Sequence, residues 1–218
     1  KFLYFPLQSE PEATVLAFAP FFSNQIALVE TVAKAIPIDT LLYVKEHPTQ
    51  KDKSWRSVKD YKKIINIPNV RLIHPSVNSL ELVEKSEGII TISGSTGFEA
   101  LFYKKPVIIF GDEHYEDLPM VTKITKIGNL AQEIKTALTK YRFDEDELNI
   151  FMEVFNKQSL HIRYSNIMKE GVLLSAIQRN GENFQLTDKY FQNYVSKYNE
   201  DFKLIASTVL KRIKENVQ

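Results

Sequence analysis

Short, uninterrupted apolar runs alternate with segments of helical spacing over residues 1–140, and this alternation restricts the possible folds more than any other feature. Strands buried on both faces form continuous apolar runs, whereas strands with one face in water alternate apolar and polar residues. The pattern therefore predicts a doubly wound α/β fold, with a parallel sheet covered by helices on both faces and a strand order resembling 3-2-1-4-5. The predicted strands are 2–7, 40–45, 69–73, 88–92 and 106–110, with a further short strand at 121–124.

The helical segments fall into two groups. Between the strands, helices are predicted at 23–36, 55–67, 78–86, 96–104 and 129–140. After Phe143 the strand signals end, and the patterns are helical to the last residues. We expect a Rossmann-like domain over residues 1–142 and a helical C-terminal extension over residues 143–218. An apolar stripe along 187–216 is typical of a helix that packs on a neighbour, with a membrane surface or a partner chain as alternatives.

Composition excludes several classes of function. Lys and Arg number 28 and Asp and Glu 27, so a formal net charge of +1 offers no electrostatic basis for nucleic-acid binding. The chain has no cysteine and no histidine–carboxylate cluster with ligand spacing, so we predict no metal site. No apolar run approaches the roughly 20 residues of a membrane-spanning helix. Because the chain starts at Lys1 and enters a strand almost at once, we expect it to be a piece of a longer protein.

Polar residues follow the predicted strands at their carboxyl ends, where open parallel sheets bind ligands. The second strand runs into Lys45, Glu46, His47 and Pro48. Pro48 restricts the backbone of His47 to extended conformations and so gives its imidazole a defined direction. His47 is suited to donate to a phosphate and Lys45 to neutralise its charge, although an ordinary strand exit with solvated side chains also explains this segment.

The fourth strand ends in a glycine–serine turn at residues 93–97, which leads into a helix. Glycine lets the backbone approach a ligand closely, and the N-terminus of a helix presents unpaired N–H groups to an anion. The turn therefore predicts a phosphate site. Thr96 and Glu99 also match a capping box, which would explain the helix start without any ligand.

Four segments, in order, resemble the capsule polysaccharide biosynthesis family, which includes the Kdo transferases of bacterial capsule assembly. They are "YFPLQSEPEA", "LLYVKEHP", "PNVRLI" and "TISGSTGFEALFYKKPVIIFG", and the resemblance covers about residues 2–125. The His-Pro pair and the Ser/Thr turn are similar to those of bacterial sialyltransferases as well. The resemblance implies the C-terminal, donor-binding half of a GT-B glycosyltransferase. It further implies a nucleotide-sugar donor, a CMP-linked acid sugar, and a saccharide or glycolipid acceptor, with no other cofactor.

The resemblance also implies roles for individual residues. His47 and Pro48 would contact the phosphate and sugar of the nucleotide, the hydroxyls of the turn would surround the phosphate, and Glu99 would bind the ribose. With Lys45 and Gly94 from the pattern itself, the predicted nucleotide-binding residues are Lys45, His47, Pro48, Ser93, Gly94, Ser95, Thr96 and Glu99. The catalytic base would commonly come from an N-terminal half that this chain lacks. Glu10 and Glu12 are the carboxylates near the expected cleft that we nominate as catalytic.

Other functions stay open at this point. A teichoic-acid-type polyglycerophosphate transferase uses related His and Ser motifs, and a nucleotide-sugar 2-epimerase would need further carboxylates and histidines. A non-catalytic scaffold of polysaccharide assembly would use the sheet only as structure. We expect a cytoplasmic protein, with peripheral association at the inner face of the cytoplasmic membrane as an alternative. His74, before Pro75, is interpreted as an ordinary loop residue.

Overall fold

A single six-stranded parallel sheet forms the centre of the first part of the chain. The computed structural model describes residues 1–10, 13–50, 55–179 and 188–216. The strands are β1 (Phe2–Pro6), β2 (Leu41–Lys45), β3 (Val70–Ile73), β4 (Ile89–Thr91), β5 (Val107–Ile109) and β6 (Val121–Lys123). Their order is β3-β2-β1-β4-β5-β6, and each neighbouring pair runs parallel. The predicted doubly wound fold is confirmed, and β6 extends the predicted order at the edge next to β5.

Helices connect and flank the strands, and capping side chains fix several of their starts. They are α1 (Ala13–Phe18), α2 (Gln25–Ala35), α3 (Val58–Ile65), α4 (Ser79–Lys85), α5 (Ser95–Phe102) and α6 (Leu130–Thr139). Asn24 accepts a hydrogen bond from the Ala27 N–H at 3.1 Å, as expected of an N-cap. Ser57 caps α3 in the same way by accepting from the Asp60 N–H. The helix predicted from residue 55 therefore begins three residues later, because Ser57 is its cap.

The core lies between the sheet and these helices. Side chains of the central strands are fully buried, among them Leu3 and Phe5 of β1 and Ile90 of β4. Val29 and Val32 of α2 are likewise fully buried, and they belong to the same apolar cluster. Burying one such side chain contributes about 1.5–3 kcal/mol. The continuous apolar runs of the sequence are thus explained by strands covered on both sides.

The rest of the chain is helical, as α7 (Glu145–Gln158), α8 (Tyr164–Arg179), α9 (Asp188–Lys197) and α10 (Asn199–Asn216). The chain divides into two compact units, Lys1–Phe151 and Met152–Gln218. Within the second unit, Arg163 forms an ion pair with Asp201 at 2.6 Å, and its guanidinium lies 5.0 Å from the centre of the Tyr198 ring. No helix in the parts of the chain given above is long and apolar enough to cross a membrane.

The predicted apolar stripe of residues 187–216 packs only in part. Tyr198 is fully buried and contacts the rings of Tyr194 and Phe202. Phe191 and Ile213 are more than half exposed.

Helix α5 packs so closely on the loop after β5 that it needs a glycine. A Cβ at Gly97 would overlap the Tyr115 hydroxyl and lie 3.2 Å from a methyl carbon of Val107. The same hydroxyl donates to the Gly94 carbonyl at 2.8 Å, and the Tyr115 ring is fully buried. Burial raises the pKa of Tyr115 well above its usual value, so the hydroxyl stays a donor. Tyr115 therefore holds the start of α5 against β5.

We predict that Gly97→Ala destabilises the fold by up to about 2 kcal/mol. Overpacking costs about 1–3 kcal/mol, while alanine gains about 1 kcal/mol of helix propensity over glycine. Urea unfolding measures the difference. Tyr115→Phe in the Gly97→Ala background should make the combined loss smaller than the sum of the two single losses, because the overlapping oxygen is gone. Gly128→Ala, with nothing within 4 Å of the added carbon, is the matched control. Equal stabilities of the two alanine variants would contradict the prediction.

Candidate functional site

The turn after β2 holds His47 in one orientation. The His47 Nδ1 accepts from the Thr49 backbone N–H at 3.2 Å and lies 2.8 Å from the Thr49 hydroxyl. Because Nδ1 accepts a backbone N–H, the ring proton of the neutral imidazole lies on Nε2. His47 is half-buried, whereas Pro48 and Thr49 are exposed. The strand exit thus presents a histidine of fixed tautomer at the carboxyl end of β2.

The turn after β4 leaves the first turn of α5 without a side-chain cap. Gly94 is the N-cap residue, with a φ of 107° that favours glycine, and no side chain caps the helix. The capping box predicted for Thr96 and Glu99 is therefore wrong, because the helix begins at Ser95. Ser95 is exposed and Thr96 half-buried. The N–H groups of a first helical turn have no intrahelical acceptor, so they favour an anion.

A carboxylate already takes one N–H group of this turn. The Glu113 side chain accepts from the Gly94 N–H, and it lies 3.6 Å from the His114 Nδ1. The N–H groups that remain for a ligand are those at the start of α5, one residue further along the chain. Glu113 therefore shapes the turn, and its negative charge limits where an anion fits.

Both turns contact the loop that follows β1. The Gln8 side-chain amide donates to the Ser93 carbonyl at 2.6 Å, and a Cβ at Gly94 would lie 3.4 Å from that amide. The Thr49 hydroxyl lies 3.4 Å from the Ser9 hydroxyl. Since β1 lies between β2 and β4, these contacts place the His47 turn and the glycine–serine turn at one edge of the sheet.

Two residues of the predicted nucleotide site are buried. Lys45 is 2% exposed, and its Nζ donates to the Ser79 hydroxyl at 2.9 Å. Among the residues that the structure describes it has no ion pair, and burial lowers its pKa. Ser93 is fully buried, and its hydroxyl has no hydrogen-bond partner in the described part of the chain. Because both side chains are buried, the structure gives no support to a direct contact between either of them and a ligand.

A buried arginine joins the loops around the site. Arg56 forms an ion pair with Glu46 at 2.8 Å and another with Glu10 at 2.5 Å. It also donates to the Gln8 carbonyl at 2.5 Å. Burial alone lowers the pKa of Arg56, but the two carboxylates outweigh burial and raise it above the usual value. Arg56 therefore stays charged and fixes the loops after β1 and β2 relative to each other.

Glu46 connects Arg56 to His47. Its Oε2 accepts from the Tyr61 hydroxyl at 2.8 Å, and its Oε1 accepts from the His47 backbone N–H at 2.7 Å. Burial, and then the neighbouring Glu46, raise the pKa of Tyr61 to about 12. The backbone at His47 is thus tied to Arg56 through one carboxylate.

The predicted carboxylates have different surroundings. The Glu10 carboxylate accepts from Gln25 at 2.6 Å in addition to its pair with Arg56. Glu99 is half-buried. Burial raises the pKa values of Tyr4 and Tyr115, and the nearby Glu99 carboxylate raises them further. Glu12 lies outside the described residues. The catalytic roles of Glu10 and Glu12 and the ribose contact of Glu99 stay predictions.

Sequence reasoning missed Arg56, Tyr61 and Gln25, which hold the site together. A usable signal was the spacing of Ser57 and Asp60, which marks a helix start and would have left Arg56 in the preceding loop.

Within the described ranges, no group of three or more histidine, aspartate or glutamate side chains could hold a metal ion.

We predict that Arg56→Met lowers the free energy of unfolding by about 3–5 kcal/mol, because it leaves Glu46 buried without its cation. Glu10→Gln is the matched control. It removes only the Glu10 pair, whose carboxylate side chain is 42% exposed, and should cost less than about 1 kcal/mol. Urea unfolding of both variants at pH 7 is the measurement. Similar losses in the two variants would show that Glu46 does not depend on Arg56.

Several known proteins are similar to this chain. Protein FixF of Sinorhizobium fredii (strain NBRC 101917 / NGR234) is 25% identical over 131 residues, which are 59% of this chain and 31% of FixF. A solved structure of Thermosulfurimonas dismutans KpsC, a beta Kdo 2,7 transferase, is 20% identical with a TM-score of 0.47, over 73% of this chain and 55% of that one. A UDP-GlcNAc 2-epimerase from Methanocaldococcus jannaschii is 16% identical with a TM-score of 0.49, over 72% and 45% of the two chains.

The chain thus spans about a third of FixF and about half of these two solved structures. The family model described as "Capsule polysaccharide biosynthesis protein" matches residues 1–144, which include the sheet and both turns of the site. The chain belongs to the capsule polysaccharide biosynthesis family.

Proposed function

We propose that this chain is the donor-binding half of a glycosyltransferase that acts in bacterial capsular or surface polysaccharide synthesis. The donor is a nucleotide-activated sugar, and we favour a CMP-linked acid sugar. The observation that carries the proposal is the meeting of two donor-rich turns, at His47 and at residues 93–97, around the loop Gln8–Ser9. One turn supplies an imidazole N–H, and the other supplies hydroxyls and the N-terminus of α5. A phosphate is the ligand that suits this set of donors.

The buried Lys45 supports an anionic ligand at the His47 turn. Lys45 lies directly before this turn as a buried ammonium group, and no ion pair with a carboxylate compensates it in the described chain. An uncompensated buried charge costs several kcal/mol unless an opposite charge comes close. A bound phosphate would supply that charge through space without touching the lysine.

In the proposed reaction this half stabilises the leaving nucleotide. As the bond between sugar and phosphate breaks, negative charge grows on the phosphate. Fixed donors such as the His47 Nε2–H and the first turn of α5 then stabilise the transition state more than the ground state. The acceptor hydroxyl also needs a base. The Glu10 carboxylate is held by Arg56, so we assign the base to the N-terminal half of a GT-B enzyme. That half and a saccharide or glycolipid acceptor are the proposed partners.

Calorimetric titration with CMP, UDP and CDP tests the site. We predict that His47→Ala and Ser95→Ala each weaken CMP binding about tenfold or more, because a hydrogen bond to a charged group contributes about 1.5–3 kcal/mol. His161→Ala, in the second unit, is the control and should change nothing. Unchanged CMP affinity in both site variants would contradict the proposed phosphate site. A preference for UDP or CDP would contradict a CMP-linked acid sugar as the donor. If none of the three nucleotides binds, a non-catalytic scaffold becomes the favoured function.

We predict that Lys45→Met binds CMP more weakly yet unfolds with an equal or greater free energy than the unaltered chain. Replacing an unpaired buried charge by an apolar side chain of similar size removes its desolvation cost. The pKa of Lys45 is lowered in the folded state, so the unfolded state binds more protons between that pKa and the usual lysine value. The stability of the unaltered chain should therefore rise with pH in that window, and the gap to Lys45→Met should narrow. Urea unfolding of the unaltered chain and of Lys45→Met at several pH values measures this gap in stability. A clear loss of stability in the variant would contradict the prediction.

A further inference from the structure

Helix α10 buries only the first half of its apolar stripe. In that half, Phe202 contacts the rings of Tyr194 and Tyr198, and Ile205 is half-buried. In the second half, three apolar side chains are between 49% and 57% exposed, and we call them the apolar patch of α10: Val209, Leu210 and Ile213. Residues three or four positions apart lie on one side of a helix, so these three side chains form one continuous surface.

Two basic residues lie beside this patch. Arg212 follows Val209 by three residues, and Lys214 follows Leu210 by four, so one cation stands on either side of the patch. Both side chains are exposed. Arg212 donates to the Gln158 carbonyl at 3.5 Å, which leaves its charge uncompensated. The second half of α10 thus combines an apolar surface with a positive charge along both of its borders.

The carboxylates of α10 do not balance these two cations, because each of them already has another partner. The ion pairs are Glu200 with Lys203 at 3.1 Å, Asp201 with Arg163 at 2.6 Å and Glu215 with Lys211 at 3.8 Å. Neither Arg212 nor Lys214 forms an ion pair with a residue in the described part of the chain. Their charge is therefore available to an external anionic partner.

We propose that the apolar patch of α10 binds the surface of a membrane that contains anionic lipids, with the helix lying along that surface. Basic amphipathic helices bury their apolar side chains at the boundary between headgroups and acyl chains. The long side chains of lysine and arginine at the borders then reach the lipid phosphates. The proposal uses only residues of the second unit and does not depend on the nucleotide site.

Charge favours a lipid surface over a second copy of this chain. In a symmetric dimer the same patch faces itself, so Arg212 and Lys214 of the two copies would lie at one interface. The carboxylates of α10 are paired within each chain, and like charges across an interface weaken it. An anionic membrane instead attracts both cations, and each basic residue near such a surface strengthens binding about fivefold.

Flotation of the full chain with lipid vesicles measures this binding. The two probes are vesicles of phosphatidylcholine alone and vesicles of equal parts phosphatidylcholine and phosphatidylserine. We expect the chain to bind the second kind and to bind the first kind far more weakly. Added salt should weaken the binding, because it screens the attraction between the cations and the lipid phosphates.

Two matched pairs of variants locate the contact. Ile213→Asp should weaken binding to the mixed vesicles about tenfold or more, because it removes an apolar side chain from the patch. Leu204→Asp adds the same charge to the same helix at a residue that is 40% exposed outside the patch, and it should bind nearly as well as the unaltered chain. Lys214→Gln should weaken binding about fivefold, whereas Lys211→Gln should have little effect. Both lysines lie near the carboxyl end of the helix, so an effect through the helix dipole would not distinguish them.

Four outcomes would overturn the proposal. They are equal binding to both kinds of vesicle, binding to neither, equal losses in Ile213→Asp and Leu204→Asp, and equal losses in the two lysine variants. Sedimentation velocity without lipid tests the competing occupant. Self-association that Ile213→Asp abolishes would show that a second copy covers the patch, and it would overturn the proposal as well. The comparison of the two vesicles needs no variant, so the test holds even if Ile213→Asp fails to fold.

Discussion

The site depends on one buried guanidinium. Arg56 is 8% exposed and binds Glu46, Glu10 and the Gln8 carbonyl, which belong to the loops after β1 and β2. Burying a guanidinium costs several kcal/mol unless its partners compensate the charge and satisfy its donors. Here two carboxylates and a carbonyl do so in a planar fork, an arrangement that a lysine could not reproduce. The loops therefore have one favourable arrangement, and the backbone at His47 follows from it through Glu46.

The architecture was predictable because it depends on local pattern. Continuous apolar runs gave the strands, and their parallel order followed from the helices between them. Contacts between distant residues were not predictable. The need for a glycine at position 97 arises from Tyr115, which lies in a loop with no periodic signal. The predicted cap at Thr96 failed for a related reason, since Gly94 turns the chain one residue before the helix begins.

The site was predictable only where rim residues follow a strand directly. His47 and the 93–97 turn were recognisable because a proline or a glycine marks a backbone that does not continue the strand. Arg56 and Glu46 were not, because a buried ion pair is defined by its partner, and the partner lies ten residues away in a connection without periodic pattern. Burial of Lys45 could not be foreseen either, since a lysine at a strand end is usually solvated.

The two His-Pro turns, after β2 and after β3, have the same local geometry but different surroundings. Each turn fixes an imidazole tautomer through an N–H group of its own backbone. They differ in their neighbours. The His47 turn contacts the loop at Gln8–Ser9 through Thr49, and the same loop contacts the glycine–serine turn. His74 lies beside Trp55 and Tyr61, an aromatic surface. The same local turn therefore stands beside polar groups at the end of β2 and beside aromatic rings at the end of β3.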